Sequence, residues 1–366
     1  MKTVAVFFGG KSNEHEISII TGLFAANLLS GHYRVIPVYL SREGELYASE
    51  KIKSIEDLRT PPLAFPRAAL EGATLVLHKK RKKVIAKIDV ALNCCHGGAG
   101  EDGTLSALLK FHGVPFASPD TALSSTFMNK ELGKIAAKGL GIPVVEGFAV
   151  HESEWKKAAQ EVTGKAAELG YPLIVKPFVL GSSIGIKVAK DEEEFKEALS
   201  LAFRLDTGAV VEKYLEGKRD INCAAYRKNG ETVLSPCEEV FSHEEILSFS
   251  EKYEGTGARN SQLPALLPDE LARDIQAYTK LIYESFGGIG IVRADFLVHE
   301  DKVYFNELNT VPGSLACYLF GESLSENRDF LISLVEEAKP IKEKETVVTG
   351  ILSTPVFAGA KGCKRR

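Results

Sequence analysis

The residues best suited to chemistry lie in a few short stretches. Val292-Arg-Ala-Asp-Phe296 and Phe305-Asn-Glu-Leu-Asn309 alternate polar and apolar side chains. Each reads as a strand, with Arg293 and Asp295 sharing one face, and Glu307 and Asn309 sharing one face. Two such strands side by side aim two carboxylates and an amide at one point. Oxygen ligands of that kind suit Mg²⁺ shared with substrate phosphates. A solvated polar face is the bland alternative. Val292, Phe296 and Leu308 weigh against it, because they make strands of a buried type.

Other stretches offer partners for phosphate. Lys176 stands at the end of an apolar strand, where a cation is costly unless it meets an anion. Gly181-Ser-Ser-Ile-Gly185 follows. Its backbone N–H groups and hydroxyls suit phosphate oxygens, and a tight hairpin would need the same residues. Val210-Val-Glu-Lys-Tyr-Leu215 could frame an adenine edge or simply be an edge strand with exposed charges. His96-Gly-Gly-Ala-Gly-Glu-Asp-Gly103 comes directly after a buried strand, where ligand sites of α/β sheets lie. Gly9-Gly10, followed by Glu14, His15 and Glu16, forms a strand–helix junction able to receive an anion or to cap itself. It is not a phosphate loop of the G-x-x-x-x-G-K-[ST] type, because Ala5 stands where the first glycine belongs.

The elements that must hold these residues follow from periodicity. Residues 3–8, 33–40 and 88–95 read as buried strands, with a helix from about 15 to 29, so the chain opens as a parallel α/β sheet. Residues 74–78 and 83–87 form a hairpin about the solvated tip Lys79–Lys83. Next come a helix at 126–141, a strand at 143–150 and a long helix at 152–169. Strands at 171–177 and 184–190, a helix at 192–203 and a strand at 209–212 complete this block. Further strands fall at 220–227, 231–239, 289–298 and 302–307, and helices at 268–286 and 322–338. The long polar stretch 241–264 lacks periodicity and reads as a functional loop. These blocks predict domains at 1–122, 123–215 and 216–340, with a tail of unknown role at 341–366.

Composition narrows the class. With 45 Lys+Arg against 49 Asp+Glu, the chain is neither a nucleic-acid coat nor a polybasic membrane binder. Six cysteines in 366 residues are too few for a disulfide framework, so reduced thiols in a cytoplasmic protein are expected. Cys94 and Cys95 end a buried strand and read as core, and Trp155 reads as helix packing. No secretory signal or membrane-length apolar run is visible.

Taken in order, the motifs Gly9–Ser18, His96–Gly103, Met128-Asn-Lys130, Val175-Lys-Pro177, Gly181–Gly185, Glu212-Lys213, Glu251-Lys-Tyr253, Arg293-Ala-Asp295 and Asn306–Gly313 resemble those of the D-alanine–D-alanine ligases. These are members of the ATP-grasp superfamily. The resemblance implies a three-domain ATP-grasp fold, a mixture of α/β and α+β. It also implies ATP and Mg²⁺ (or Mn²⁺) as cofactors, D-alanine as substrate, and peptidoglycan synthesis as the role. A homodimer is one assembly it admits.

By motif position, Glu14 would bind the ammonium of the first D-alanine, and His96 would lie in the substrate site. Lys130, Lys176, Ser182 and Ser183 would meet phosphates, and Glu212, Lys213 and Leu215 would frame the adenine. Asp220 matches the acidic residue that binds the ribose. Lys252 and Tyr253 would lie on a closing loop. Asp295, Glu307 and Asn309 would hold metal, while Arg293 and the Gly313 N–H would stabilise an oxyanion. Tyr318 stands where the family has a small hydroxyl residue that meets the acceptor. An ATP-grasp ligase with a different amino-acid acceptor and a non-catalytic nucleotide-binding regulator are the alternatives.

Overall fold

The computed structural model describes residues 1–59, 65–77, 83–181, 183–241 and 260–338. Three sheets organise them. In the first, β1 (Thr3–Gly9) pairs in parallel with β2 (Arg34–Leu40) and with β7 (Val90–Asn93). All of β1 is buried, as its unbroken apolar run requires of a strand covered on both faces. Helix α1 (His15–Leu29) packs on one face of it. Gly22 allows the close approach, since a Cβ there would come within 2.3 Å of the Phe8 ring. Helix α2 (Thr104–Phe111) joins the core on the other face through Leu105 and Leu109.

The parallel reading of this sheet holds for three of its seven strands, β2, β1 and β7. The chain continues antiparallel from β2 through β3 (Leu46–Ala48), β4 (Arg67–Glu71), β5 (Thr74–Leu77) and β6 (Val84–Lys87). Short strands with few apolar residues leave little pattern to read, and β3 and β4 were not foreseen. The β5–β6 hairpin is as expected, while most of its lysine-rich tip lies outside the described residues.

The single helix expected at 126–141 is two. α3 (Thr121–Met128) stops, Asn129 turns extended, and its side chain caps α4 (Lys130–Gly139) by accepting from the Glu131 and Leu132 N–H groups. An Asn at this position competes with the helix it interrupts and favours a cap. The second sheet is antiparallel, in the order β10 (Lys187–Ala189), β9 (Leu173–Pro177), β11 (Gly208–Lys213), β8 (Gly147–His151). Strand β8 is shorter than the segment expected at 143–150. Helices α5 (Glu152–Leu169) and α6 (Glu192–Leu205) cover one face. Trp155 packs against that core.

The third sheet is also antiparallel. Its order is β15 (Ser261–Gln262), β14 (Glu238–Val240), β12 (Arg219–Lys228), β16 (Ile291–His299), β17 (Lys302–Asn309), with β13 (Glu231–Leu234) on β12. The strand expected at 231–239 is split into β13 and β14 around Ser235-Pro236, as proline lacks the ladder donor. Helix α7 (Asp269–Ser285) packs on this sheet. α8 (Leu324–Glu336) instead joins the core of the first sheet, where Phe330, Leu331 and Leu334 meet Leu23, Ala26 and Tyr33 in one buried cluster. No helix among the described residues is long and apolar enough to cross a membrane.

Candidate active site

The second and third sheets face each other across a cleft. Its walls include Lys130, Lys176, Gly181, Ser183, Glu212, Lys213 and Leu215 from the central region, and Asp220, Arg293, Asp295, Asn306 and Glu307 from β12, β16 and β17 of the third sheet. The register explains the far wall. Asp295 pairs with Glu307, and Arg293 with Asn309, across β16 and β17. The alternation read from sequence therefore puts the paired carboxylates next to each other.

Arg293 grips Asp295 with two bonds, Nε to Oδ1 at 2.8 Å and Nη2 to Oδ2 at 3.0 Å. Asn309 donates to the same carboxylate at 2.9 Å. Burial disfavours the guanidinium's charge, but Asp295 outweighs it and holds the Arg293 pKa well above its ordinary value. Asp295, Glu307 and Asn309 offer oxygen donors only. Among the described residues no group of three or more His, Cys, Asp or Glu could enclose a metal. Two carboxylates and an amide oxygen suit Mg²⁺, which keeps waters and takes phosphate oxygens rather than a full protein cage.

On the near wall, Lys130 reaches both sides. Its ammonium donates to the Leu180 carbonyl at 2.7 Å and lies 3.3 Å from Glu307. Lys176 donates to Asn306 at 2.8 Å and lies 2.9 Å from Glu212. Glu212 is 1% exposed. Its other oxygen lies 2.5 Å from Lys134, a residue the motifs did not single out. Burial opposes the charge on Glu212, but the charges of Lys134 and Lys176 prevail and hold its pKa at about 2. Burial also lowers the pKa of Lys134, partly offset by Glu212.

The remaining candidates surround this cleft. Asp220 pairs with Lys218 on the cleft wall, and Lys213 pairs with Glu146 at 2.6 Å, half-exposed. Ser183 takes a left-handed conformation, φ 60°. Glu14 stands close to the Gly-Ser loop, since a Cβ on Gly181 would lie 3.6 Å from its carboxylate. Gly97, at φ 67°, lets the backbone pass the same carboxylate, which a Cβ would approach to 3.0 Å. His96 is buried and bonds to Thr21 at 2.8 Å and to the Val311 carbonyl at 2.7 Å, joining the first region to the Pro312-Gly313 loop. Burial raises the pKa of neighbouring Glu101, and Glu14 adds repulsion.

After Gly313 the chain makes a 3₁₀ turn to Leu319, in which Ser314, Leu315 and Ala316 are all left-handed. Tyr318, on this turn, donates to Glu238 at 3.0 Å. Ser182, Lys252 and Tyr253 lie outside the described residues. Cys94 and Cys95 are buried, and burial pushes the Cys95 thiol up to about 12, which fits core rather than nucleophile.

The motifs thus bring Lys130, Lys176, Ser183, Glu212, Lys213, Leu215, Asp220, Arg293, Asp295 and Glu307 to one cleft. Asn309 stands beside it, bonded to Asp295. Glu14, His96, Gly313 and Tyr318 come from the loops around it. The sequence reading missed Lys134 and Glu238. Lys134 follows Lys130 by four residues on α4, the spacing that places both on one helix face.

Comparison with known proteins agrees with this architecture. Residues 3–119 match the model of the D-ala D-ala ligase N-terminus, and residues 136–336 that of the D-ala D-ala ligase C-terminus. The D-alanine–D-alanine ligase of Chlorobium phaeovibrioides is 35% identical over 322 residues, 85% of this chain and 88% of that protein. That of Thermosipho africanus is 33% identical over 368 residues, 96% and 97% of the two chains. Among solved structures, the D-alanine–D-alanine ligase of Helicobacter pylori superposes with a TM-score of 0.75 at 28% identity, over 93% of this chain and all of that one. The VanG D-Ala:D-Ser ligase of Enterococcus faecalis gives 0.76 at 27% identity, over 91% and 99%.

Two sheets closing on lysines from one side and carboxylates from the other are the ATP-grasp fold, here in an ATP-dependent ligase. Within that class the chain belongs to the D-alanine–D-alanine ligase family.

Proposed function

We propose that this chain joins two D-alanines, converting ATP to ADP and phosphate, and so supplies D-alanyl-D-alanine for peptidoglycan. The observation that carries the reading is the meeting of Lys130 and Lys176 with Arg293, Asp295 and Glu307 in one cleft. ATP lies between the second and third sheets in this reading. Glu212, Lys213 and Leu215 frame the adenine, and Asp220 holds the ribose. Lys130, Lys176, Ser182, Ser183 and Lys252 meet the phosphates. Asp295, Glu307 and Asn309 hold Mg²⁺, which supplies charge neutralisation on the phosphates.

A carboxylate is a poor acyl donor because its oxygen is a poor leaving group. Glu14 binds the ammonium of the first D-alanine, with His96 beside it. The carboxylate oxygen of that D-alanine attacks the γ-phosphorus and ADP leaves. The lysines neutralise the phosphoryl group in transit. The second D-alanine, as the free amine, then attacks the carbonyl carbon. Arg293 and the Gly313 N–H stabilise the oxyanion, and phosphate departs with the former carboxylate oxygen. In this reading Tyr253 acts with Ser182 and Glu14 to exclude water that would hydrolyse the acyl phosphate.

The domain limits at 122, 215 and 340 belong to the same reading, and the change from the second sheet to the third between Lys213 and Arg219 supports the one at 215. Five described cysteines are free thiols, which supports a reducing cytoplasm. The cleft is built from one chain, so the reading does not require a homodimer.

ADP release with and without D-alanine, with the product identified by mass, tests the proposal. D-alanine-dependent ADP release with D-alanyl-D-alanine as the main product is expected. ADP release indifferent to D-alanine would defeat it. The Tyr318–Glu238 bond favours one second reading, a different acceptor. Tyr318's hydroxyl is already given to a buried carboxylate, so it is not free to donate to an acceptor's carboxylate without giving up that bond. Offering D-alanine with D-serine, D-lactate or glycine decides, and a mixed product would move the assignment.

A further inference from the structure

The nucleotide reading gives Lys130, Lys176 and Lys213 a task but leaves the buried Lys134 without one. Its ammonium touches one oxygen of Glu212 at 2.5 Å, while Lys176 touches the other at 2.9 Å. Two buried cations therefore serve one buried carboxylate, and they are not equivalent. Lys176 lines the cleft and is also bonded across it to Asn306. Lys134 lies behind the wall on α4, out of the cleft. The contact is enclosed on all sides, and attraction between the opposite charges is its main support.

We propose that Lys134 is a positioning residue for ATP: it is the fixed counter-ion of Glu212, and it releases Lys176 to leave Glu212 for the nucleotide's phosphates. The inference rests on the reading that this cleft binds ATP. With Lys176 as its sole partner, Glu212 would be stranded each time the lysine moved to a phosphate. Removing one member of a buried ion pair is strongly unfavourable because the other stays buried and uncompensated. Lys134 keeps one cation on Glu212 through the whole cycle. It also leaves the group of three with one net positive charge before ATP arrives, which favours an anion.

Calorimetric MgATP binding and steady-state kinetics on the full chain test this, in the unsubstituted protein and in K134M, K134R, E212Q and K134M/E212Q. K134M should weaken ATP by about tenfold, the scale of one modest charge interaction. Its kcat at saturating ATP and its KM for D-alanine should stay near their original values. K134R should recover most of the loss. K134M/E212Q should bind ATP no more weakly than E212Q, because the charge that Lys134 serves is gone. Unchanged ATP affinity in K134M, a loss carried by kcat, or losses that simply add in the double variant would each overturn the proposal. If K134M alone does not fold, the comparison of K134M/E212Q with E212Q still decides it. Failure of the unsubstituted chain to bind ATP would instead bring down the nucleotide reading on which the inference stands.

Discussion

The first and second sheets meet the rest of the molecule in opposite ways. The first shares its apolar core with the C-terminal part of the chain: Phe8, Leu23 and Tyr33 are continuous with Val311, Leu315 and Phe330. The second keeps its core to itself, every buried member lying between Val150 and Val211. Lys176–Asn306 and Lys130–Glu307 bridge the cleft between the second and third sheets with polar contacts. Apolar joints are non-directional and strong in aggregate, whereas polar contacts across a wet cleft exchange readily with water and ligand. The fold therefore fixes the first and third regions together and leaves the seam with the second region as the place where a ligand can compete.

Breaking the far wall of the seam should cost most. Glu307→Gln or Asp295→Asn should remove measurable dipeptide formation while circular dichroism stays native, because Mg²⁺ chemistry is worth several kcal/mol in the transition state. Full turnover in Glu307→Gln would sink the metal assignment. Breaking the apolar joint should act on stability instead. Phe330→Ala should lose about 3–5 kcal/mol in denaturant unfolding, the usual range for a buried phenylalanine. A loss under about 1 kcal/mol would show that α8 is not part of one core with α1.

Arg293→Ala comes next, with kcat down by about 10²-fold, the loss expected of one oxyanion donor, and a smaller change in ATP affinity. Collapse of ATP binding with intact chemistry would move Arg293 to the nucleotide site. A smaller effect should appear with pH. Burial opposes the charge on Glu212, yet its two lysines depress its pKa to about 2. Its contribution to stability is therefore complete above the ordinary carboxylate range near 4.5 and is lost as pH falls from there toward 2. Glu212→Gln should flatten thermal stability in that window, and an unchanged slope would refute the assignment. Smallest is the exposed pair Lys213–Glu146. Glu146→Ala should change stability by less than about 1 kcal/mol.

Legibility in the sequence followed local pattern. β1 and β7 were readable as unbroken apolar runs, and α5 and α6 because their apolar residues recur at the helical period. The far wall was readable for the same reason: alternation on two strands predicts shared faces, and the antiparallel register then places Asp295 beside Glu307. What depends on distant partners was not readable. Strands β3 and β4 exist because β2 and β5 pair with them, and their own residues carry little signal. The break at Asn129 was hidden by apolar residues on both sides that continue a helical rhythm. Lys134 looked like any lysine on a polar helix face until the fold brought Glu212 against it. Glu238 sits two residues after Pro236, in a strand too short to show a period, and acquires its meaning from Tyr318, eighty residues away.

The shared core of the first sheet and α8 has a consequence for biosynthesis. The apolar stripe of α1 is made early, but Phe330 and Leu331, which cover it, emerge from the ribosome about 300 residues later. At about 5–20 residues per second, that stripe waits about 15–60 s for its cover. During that interval the nascent chain displays a greasy helix that the finished protein hides, and a holdase has its natural purchase there.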